Sequence, residues 1–221
     1  MGIKDNLSTL LKSMPSDVQI VATSKTHPDE SILEAYSIGQ RIFGENKVQE
    51  LVGKYDRLPK DIEWHFIGHL QTNKIRQIVP FVTLIHGVDS IKVLDEINRQ
   101  AENIGRKVDC LLQVHIAKEE SKFGFSQDAI IPFFENKVYQ LYGWVNIVGL
   151  MGMATNSDDT QLVSDEFTLI KTLFDKCKQQ VESPSFTILS MGMSGDYKIA
   201  IERGGNLLRI GSLIFGERDY H

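Results

Sequence analysis

Cysteine is scarce: the 221 residues include only Cys110 and Cys177. Two isolated thiols, one in an apolar strand-like run and one in a helix-like run, exclude a disulfide framework. They read as small buried hydrophobes in a reducing compartment. Long apolar runs are lacking as well, and nothing approaches the roughly 20 residues that a bilayer-spanning helix needs. The N-terminal M-G-I-K-D-N-L-S-T-L-L-K is amphipathic but has no apolar core of signal-peptide length, and Asn6 stands where N-myristoylation requires Ser or Thr. Positive charge is in deficit, with 24 Lys and Arg against 29 Asp and Glu and a net charge of -5. No general field therefore draws nucleic acid or anionic membrane, although local basic sites remain able to hold small anions. These absences predict a cytoplasmic protein with neither membrane nor nucleic acid as a partner.

Hydrophobic content of 42% and charged content of 24% are those of an ordinary globular chain. No linker, low-complexity segment or sequence repeat interrupts it, so residues 1–221 are expected to form one domain. Leu7, Leu10, Leu11 and Met14 fall at helical spacing, ended by Pro15. Alternation then begins. Strand patterns lie at 18–24, 41–44, 62–67, 81–85, 108–116, 142–153, 186–189 and 207–210. Helical patterns lie at 29–39, 45–55, 72–79, 90–103, 127–136, 158–182 and 195–202. Eight strands, each but the last followed by a helix, imply a parallel sheet closed into a (β/α)8 TIM barrel with one extra N-terminal helix. A doubly wound open sheet is the structural alternative, but the first strand lacks a G-x-G-x-x-G turn.

Reactive groups of such a barrel sit at the C-terminal ends of its strands. Lys25 ends the first strand in V-A-T-S-K-T-H-P, sharing a face with Val21 and Thr23 while Ala22 and Ser24 face the helices. A strand-end lysine can form an imine with an aldehyde, although a solvated loop lysine is the commoner reading of this segment alone. L-S-M-G-M-S-G-D-Y-K, between strand seven and its helix, sets Ser194 among glycines at a helix start, where either an anion or a bare N-cap fits. In L-L-R-I-G-S-L-I-F-G, Arg209 and Gly211 share the interior face of strand eight, and Gly211-Ser212 opens the following loop. The loops after strands seven and eight are the usual phosphate site of this fold. The two segments together point to a phosphorylated ligand.

Asn46, after strand two, offers an amide at the same barrel end. His65 and His69 have i, i+4 spacing but straddle a strand and a loop, so a metal pair is disfavoured and no metal site is expected. His27, His86 and His115 read as hydrogen-bonding or solvent-facing groups. Lys122, in the loop K-E-E-S-K-F-G-F, is placed to steer an anion.

Taken together the chain resembles the pyridoxal phosphate homeostasis proteins, barrels similar to the N-terminal domain of alanine racemase in fold-type III. The resemblance rests on V-A-T-S-K-T at 21–26, F-G-E-N-K-V-Q-E at 43–50, H-F-I-G-H-L-Q-T-N-K at 65–74, G-L-M-G-M-A at 149–154, L-S-M-G-M-S-G-D at 189–196 and R-I-G-S-L-I-F-G-E-R at 209–218. It implies that Lys25 carries pyridoxal 5'-phosphate as a covalent aldimine and that Ser194, Gly211 and Ser212 cradle the phosphate. It also sets Arg209 against the pyridine nitrogen and Asn46 near the ring substituents. Asn206, where the family more often has Thr or Ser, is a local departure that precedes the cradle.

An arginine is always protonated and offers only donors, so its partner nitrogen stays neutral and the ring accepts electrons less well. Alanine racemase takes a second base, a tyrosine, from a C-terminal β-domain and partner subunit, and with the last strand pattern ending at residue 210 of 221 no such domain is expected here. The expectation is a monomeric carrier or buffer of the vitamin B6 cofactor with no catalytic residue. It would hand pyridoxal phosphate to apo-enzymes and affect amino-acid and keto-acid balance indirectly. A minimal pyridoxal-phosphate-dependent racemase or lyase is the first alternative. A Schiff-base aldolase on a sugar phosphate is the second.

Overall fold

Gln19–Thr23 (β1) pairs in parallel with Ile42–Glu45 (β2) on one side and Leu207–Ile210 (β8) on the other, and this last pairing closes the sheet. The computed structural model describes residues 2–118 and 123–216. Around the ring come Glu63–Phe66 (β3), Leu84–Val88 (β4), Val108–Gln113 (β5), Val145–Met151 (β6) and Ile188–Met193 (β7), in sequence order. Ile3–Lys12 (α1) precedes the barrel. Asp29–Tyr36 (α2), Val48–Arg57 (α3), Ile75–Ile78 (α4), Ile91–Asn103 (α5), Gln127–Glu135 (α6), Thr160–Gln180 (α7), Tyr197–Glu202 (α8) and Ser212–Phe215 (α9) each follow one strand. The fold is the (β/α)8 barrel with an extra N-terminal helix that the alternation predicts.

Strand side chains alternate between a helix-facing apolar layer and the barrel interior. Ile20 and Ala22 of β1 join the helix-facing core, whereas Val21 packs inside the barrel with Leu84, Leu111, Val148, Met151 and Leu207. β8 behaves likewise, with Leu208 and Ile210 outward and Leu207 inward. Arg209 therefore falls on the interior face, because side chains along a strand repeat with a period of two. Leu7 and Leu10 of α1 are buried, each stabilising by about 1.5–3 kcal/mol on burial. Asn6 Nδ2 donates to Ile214 O at 3.2 Å and ties α1 to α9. Leu11, expected on the same stripe, is 43% exposed.

Several boundaries differ from expectation. The last strand does have a helix, the short α9, which closes the unit expected to end at β8. β4 runs over 84–88 rather than 81–85, since Thr83 N already pairs with Trp64 O and Phe81 belongs to the turn after α4. β7 likewise begins and ends later than expected, at 188 and 193, because it pairs with β6 over 188–190 and resumes pairing with β8 at Met193 beyond an irregularity that spans Gly192. Residues 72–79 divide into a 3-10 turn at Thr72–Lys74 and the single turn of α4. Both thiols are buried and free, and burial raises both pKa values, that of Cys177 to about 12. Among the described residues no helix is long and apolar enough to cross a membrane.

Candidate functional site

Lys25, Asn46, Ser194, Arg209, Gly211 and Ser212 all line one cavity of about 400 Å³ at the C-terminal ends of the strands. β1 stops at Thr23, so Lys25 lies in the turn two residues beyond the ladder rather than at its last position. Asn46 directly follows β2, and α3 begins only at Val48 instead of at residue 45. Lys122 and the end of the R-I-G-S-L-I-F-G-E-R segment lie outside the described residues.

Arg209 is 4% exposed, and no carboxylate pairs with it among the described residues. Its Nη1 donates to Ser190 Oγ at 2.6 Å and its Nη2 to Gly152 O at 3.0 Å. Burial pulls its pKa down to about 10, which leaves it a cation at neutral pH. Further inward, Ser190 Oγ lies 3.0 Å from His86 Nδ1, and His86 Nε2 lies 3.0 Å from His65 Nδ1. Both rings are buried, and desolvation holds His65 down at about 3 and His86 well below its ordinary value. With both imidazoles neutral, each ring donates from one nitrogen and accepts at the other, so Arg209, Ser190, His86 and His65 form one continuous hydrogen-bonded chain in which Arg209 donates to Ser190. His65 and His69 therefore serve different partners and do not converge.

Ser194 Oγ accepts from Gly211 N at 3.2 Å, which joins the loops after β7 and β8. A Cβ on Gly195 would meet nothing within 4 Å, so the backbone there is open to a ligand. Asp196 Oδ1 accepts from Met193 N at 2.5 Å and shapes the same loop. Thr23 Oγ1, also in the cavity wall, is buried without a hydrogen-bond partner. Such a hydroxyl is costly unless something in the cavity completes it. A lysine, a donor-only arginine, an orphaned hydroxyl and a Ser–Gly–Ser cradle together fit a phosphorylated aromatic aldehyde.

The mouth holds groups that sequence reasoning missed. His69 Nδ1 lies 2.8 Å from Asp89 Oδ2, and its ring stacks on Phe123 with centroids 4.0 Å apart. Thr23, Ser190 and the His65–His86 pair were also missed as a connected set. Their only sequence signal is polarity at alternate positions of otherwise apolar strands.

A closed β/α barrel with a lysine after β1 and a cavity wall of serine and glycine after β7 and β8 defines a class, and the alanine racemase N-terminal domain family matches residues 2–219. The pyridoxal phosphate homeostasis protein of Aquifex aeolicus (strain VF5) is 38% identical over 203 residues, covering 91% of this chain and 88% of the relative. PipY of Synechococcus elongatus PCC7942 without PLP superposes with a TM-score of 0.91 at 35% identity, covering 97% of this chain and 100% of that one. PipY with PLP bound gives 0.87 at 36% identity with the same coverage. The chain belongs to the pyridoxal phosphate homeostasis protein family.

Proposed function

We propose that this chain binds pyridoxal 5'-phosphate through an imine on Lys25 and acts as a carrier or buffer of that cofactor. The observation that carries the reading is the meeting of Lys25, Arg209 and the Ser194–Gly211–Ser212 cradle in one cavity. The PLP-bound form of the related PipY supports it. Pyridoxal phosphate supplies an aldehyde that captures amines and a ring that accepts electrons. Ser194, Gly211 and Ser212 hold the phosphate, and the Thr23 hydroxyl finds its partner on the ligand. Asn46 lies against the ring substituents. Arg209 donates to the ring nitrogen and keeps it unprotonated, which weakens the electron sink that racemisation needs. The recipients are apo-enzymes using the same cofactor, served by a cytoplasmic monomer folded as one domain.

The purified protein is expected to show an imine absorbance band that borohydride bleaches onto Lys25 and that Lys25→Ala lacks. Cofactor should reach an apo-enzyme faster from the holo-protein than by free release. A colourless protein that cannot be reconstituted would exclude the reading. Exchange of amino-acid α-protons at enzyme-like turnover, lost in Lys25→Ala, would favour a racemase or lyase instead.

A further inference from the structure

The backbone on both sides of Lys25 is held by side chains that lie outside the cavity. Ser24 Oγ donates to Glu45 Oε1 at 2.6 Å, and Ser24 O accepts from Lys54 Nζ at 2.8 Å. Thr26 N donates to Glu50 Oε1 at 2.6 Å. The ammonium of Lys54 binds these contacts together, reaching Glu45 Oε1 at 2.8 Å and Glu50 Oε1 at 2.7 Å. Glu45 is 0% and Lys54 3% exposed, so the centre of the cluster is buried, while the Glu50 side chain and its bond to Thr26 N lie at its partly exposed edge. Glu50 and Lys54 sit one turn apart on α3, whose Val48 and Leu51 anchor it in the core.

Thr26 has φ of +68°, in the left-handed region that a β-branched residue rarely enters. Such a conformation persists only where the surroundings over-determine it. The Glu50 carboxylate on the Thr26 amide and the Lys54 ammonium on the Ser24 carbonyl are the surroundings that do so. Charge-assisted hydrogen bonds of this length are the strong kind.

We propose that Glu50 and Lys54 are positioning residues that clamp the Ser24–Thr26 turn and so aim the Lys25 side chain into the cavity. Neither lines the cavity, so they act through Lys25 and not by contact with a ligand. The inference rests on the reading of Lys25 as the cofactor lysine. It adds two residues of F-G-E-N-K-V-Q-E-L-V-G-K to the machinery of covalent capture.

The test uses the full chain with Glu50→Ala and Glu50→Gln, at a partly exposed position where neither change threatens the fold. Two ligands are compared: pyridoxal 5'-phosphate, and pyridoxine 5'-phosphate, which fits the same cradle but has no aldehyde. Glu50→Ala is expected to bind pyridoxal phosphate at least about ten-fold more weakly, with pyridoxine phosphate unchanged, since a hydrogen bond to a charged group is lost. Glu50→Gln keeps an acceptor for Thr26 N–H and should stay within about three-fold of wild type. In the cofactor-free protein, Thr26 amide exchange should accelerate about ten-fold in Glu50→Ala. Wild-type affinity for pyridoxal phosphate in Glu50→Ala, or equal loss of both ligands, would overturn the proposal. Should wild type bind neither ligand, the function above fails, and Thr26 exchange alone then decides whether the clamp exists.

Discussion

Arg209 Nη1 donates to Ser190 Oγ at 2.6 Å, and the same oxygen lies 3.0 Å from His86 Nδ1 on the other side. A single hydroxyl thus links the guanidinium that faces the cavity to a neutral histidine inside the barrel. The proposed ring-nitrogen contact is therefore built from four strands, β3, β4, β7 and β8.

Ser190→Ala leaves Arg209 Nη1 and His86 Nδ1 without their shared partner in a fully buried place. We expect a loss of about 1–3 kcal/mol in unfolding free energy, read from urea midpoints. Pyridoxal phosphate should still reach Lys25, but with a shifted absorbance band because Arg209 is no longer held.

The buried groups also predict an optimum of stability. Burial depresses His65 to about 3 and His86 well below its ordinary value, so the folded state refuses protons that the unfolded chain takes up below about 6.5. Their contribution is complete above that pH and is lost as the pH falls towards 3. Burial raises Glu45 to about 7, and there the sign is opposite. Its contribution is complete below the unfolded value of about 4.5 and is lost as the pH rises through 7. Two histidines outweigh one glutamate on the acid side, so urea midpoints should peak at about pH 6–7. A His65→Asn variant should show a shallower acid limb.

Lys54→Met removes the cation from Glu45, whose side chain is fully buried. The expected cost is about 3–5 kcal/mol above neutral pH, where the carboxylate would stand charged and unpaired. Loss of the ammonium raises Glu45 further, so acidification to about pH 6 should return part of the stability by protonation. Midpoints of wild type and variant at the two pH values give the comparison.

Gly68 follows β3, and a Cβ there would stand 2.4 Å from Asn46 O. Main chain, not a flexible side chain, is what it would strike. Gly68→Ala should displace the Asn46 loop, destabilise the protein by about 1–3 kcal/mol and weaken binding of pyridoxal phosphate. Calorimetric melting with and without ligand separates the two effects.

That these six residues would share one barrel mouth was legible before folding, because each sits at the end of a strand or just past it. Strand order in a barrel converts that sequence position into one shared mouth. Arg209 is the clearest case: period-two alternation in L-L-R-I settles its interior face without further information. Glu45 and Glu50 were equally visible in F-G-E-N-K-V-Q-E, yet nothing local says that they hold a turn 21 to 24 residues earlier.

Sequence by itself determined the eightfold alternation, the interior arginine and the lysine after β1, since these follow from local periodicity and chain order. Only the tertiary structure decided the partners: His65 with His86, Ser190 with Arg209, and Glu50 and Lys54 with the turn around Lys25. Hydrogen bonds join groups 19 to 30 residues apart in these cases, and their geometry exists only once the sheet has closed. The ends of β4 and β7 were decided the same way, by the ladder each strand found on its neighbours.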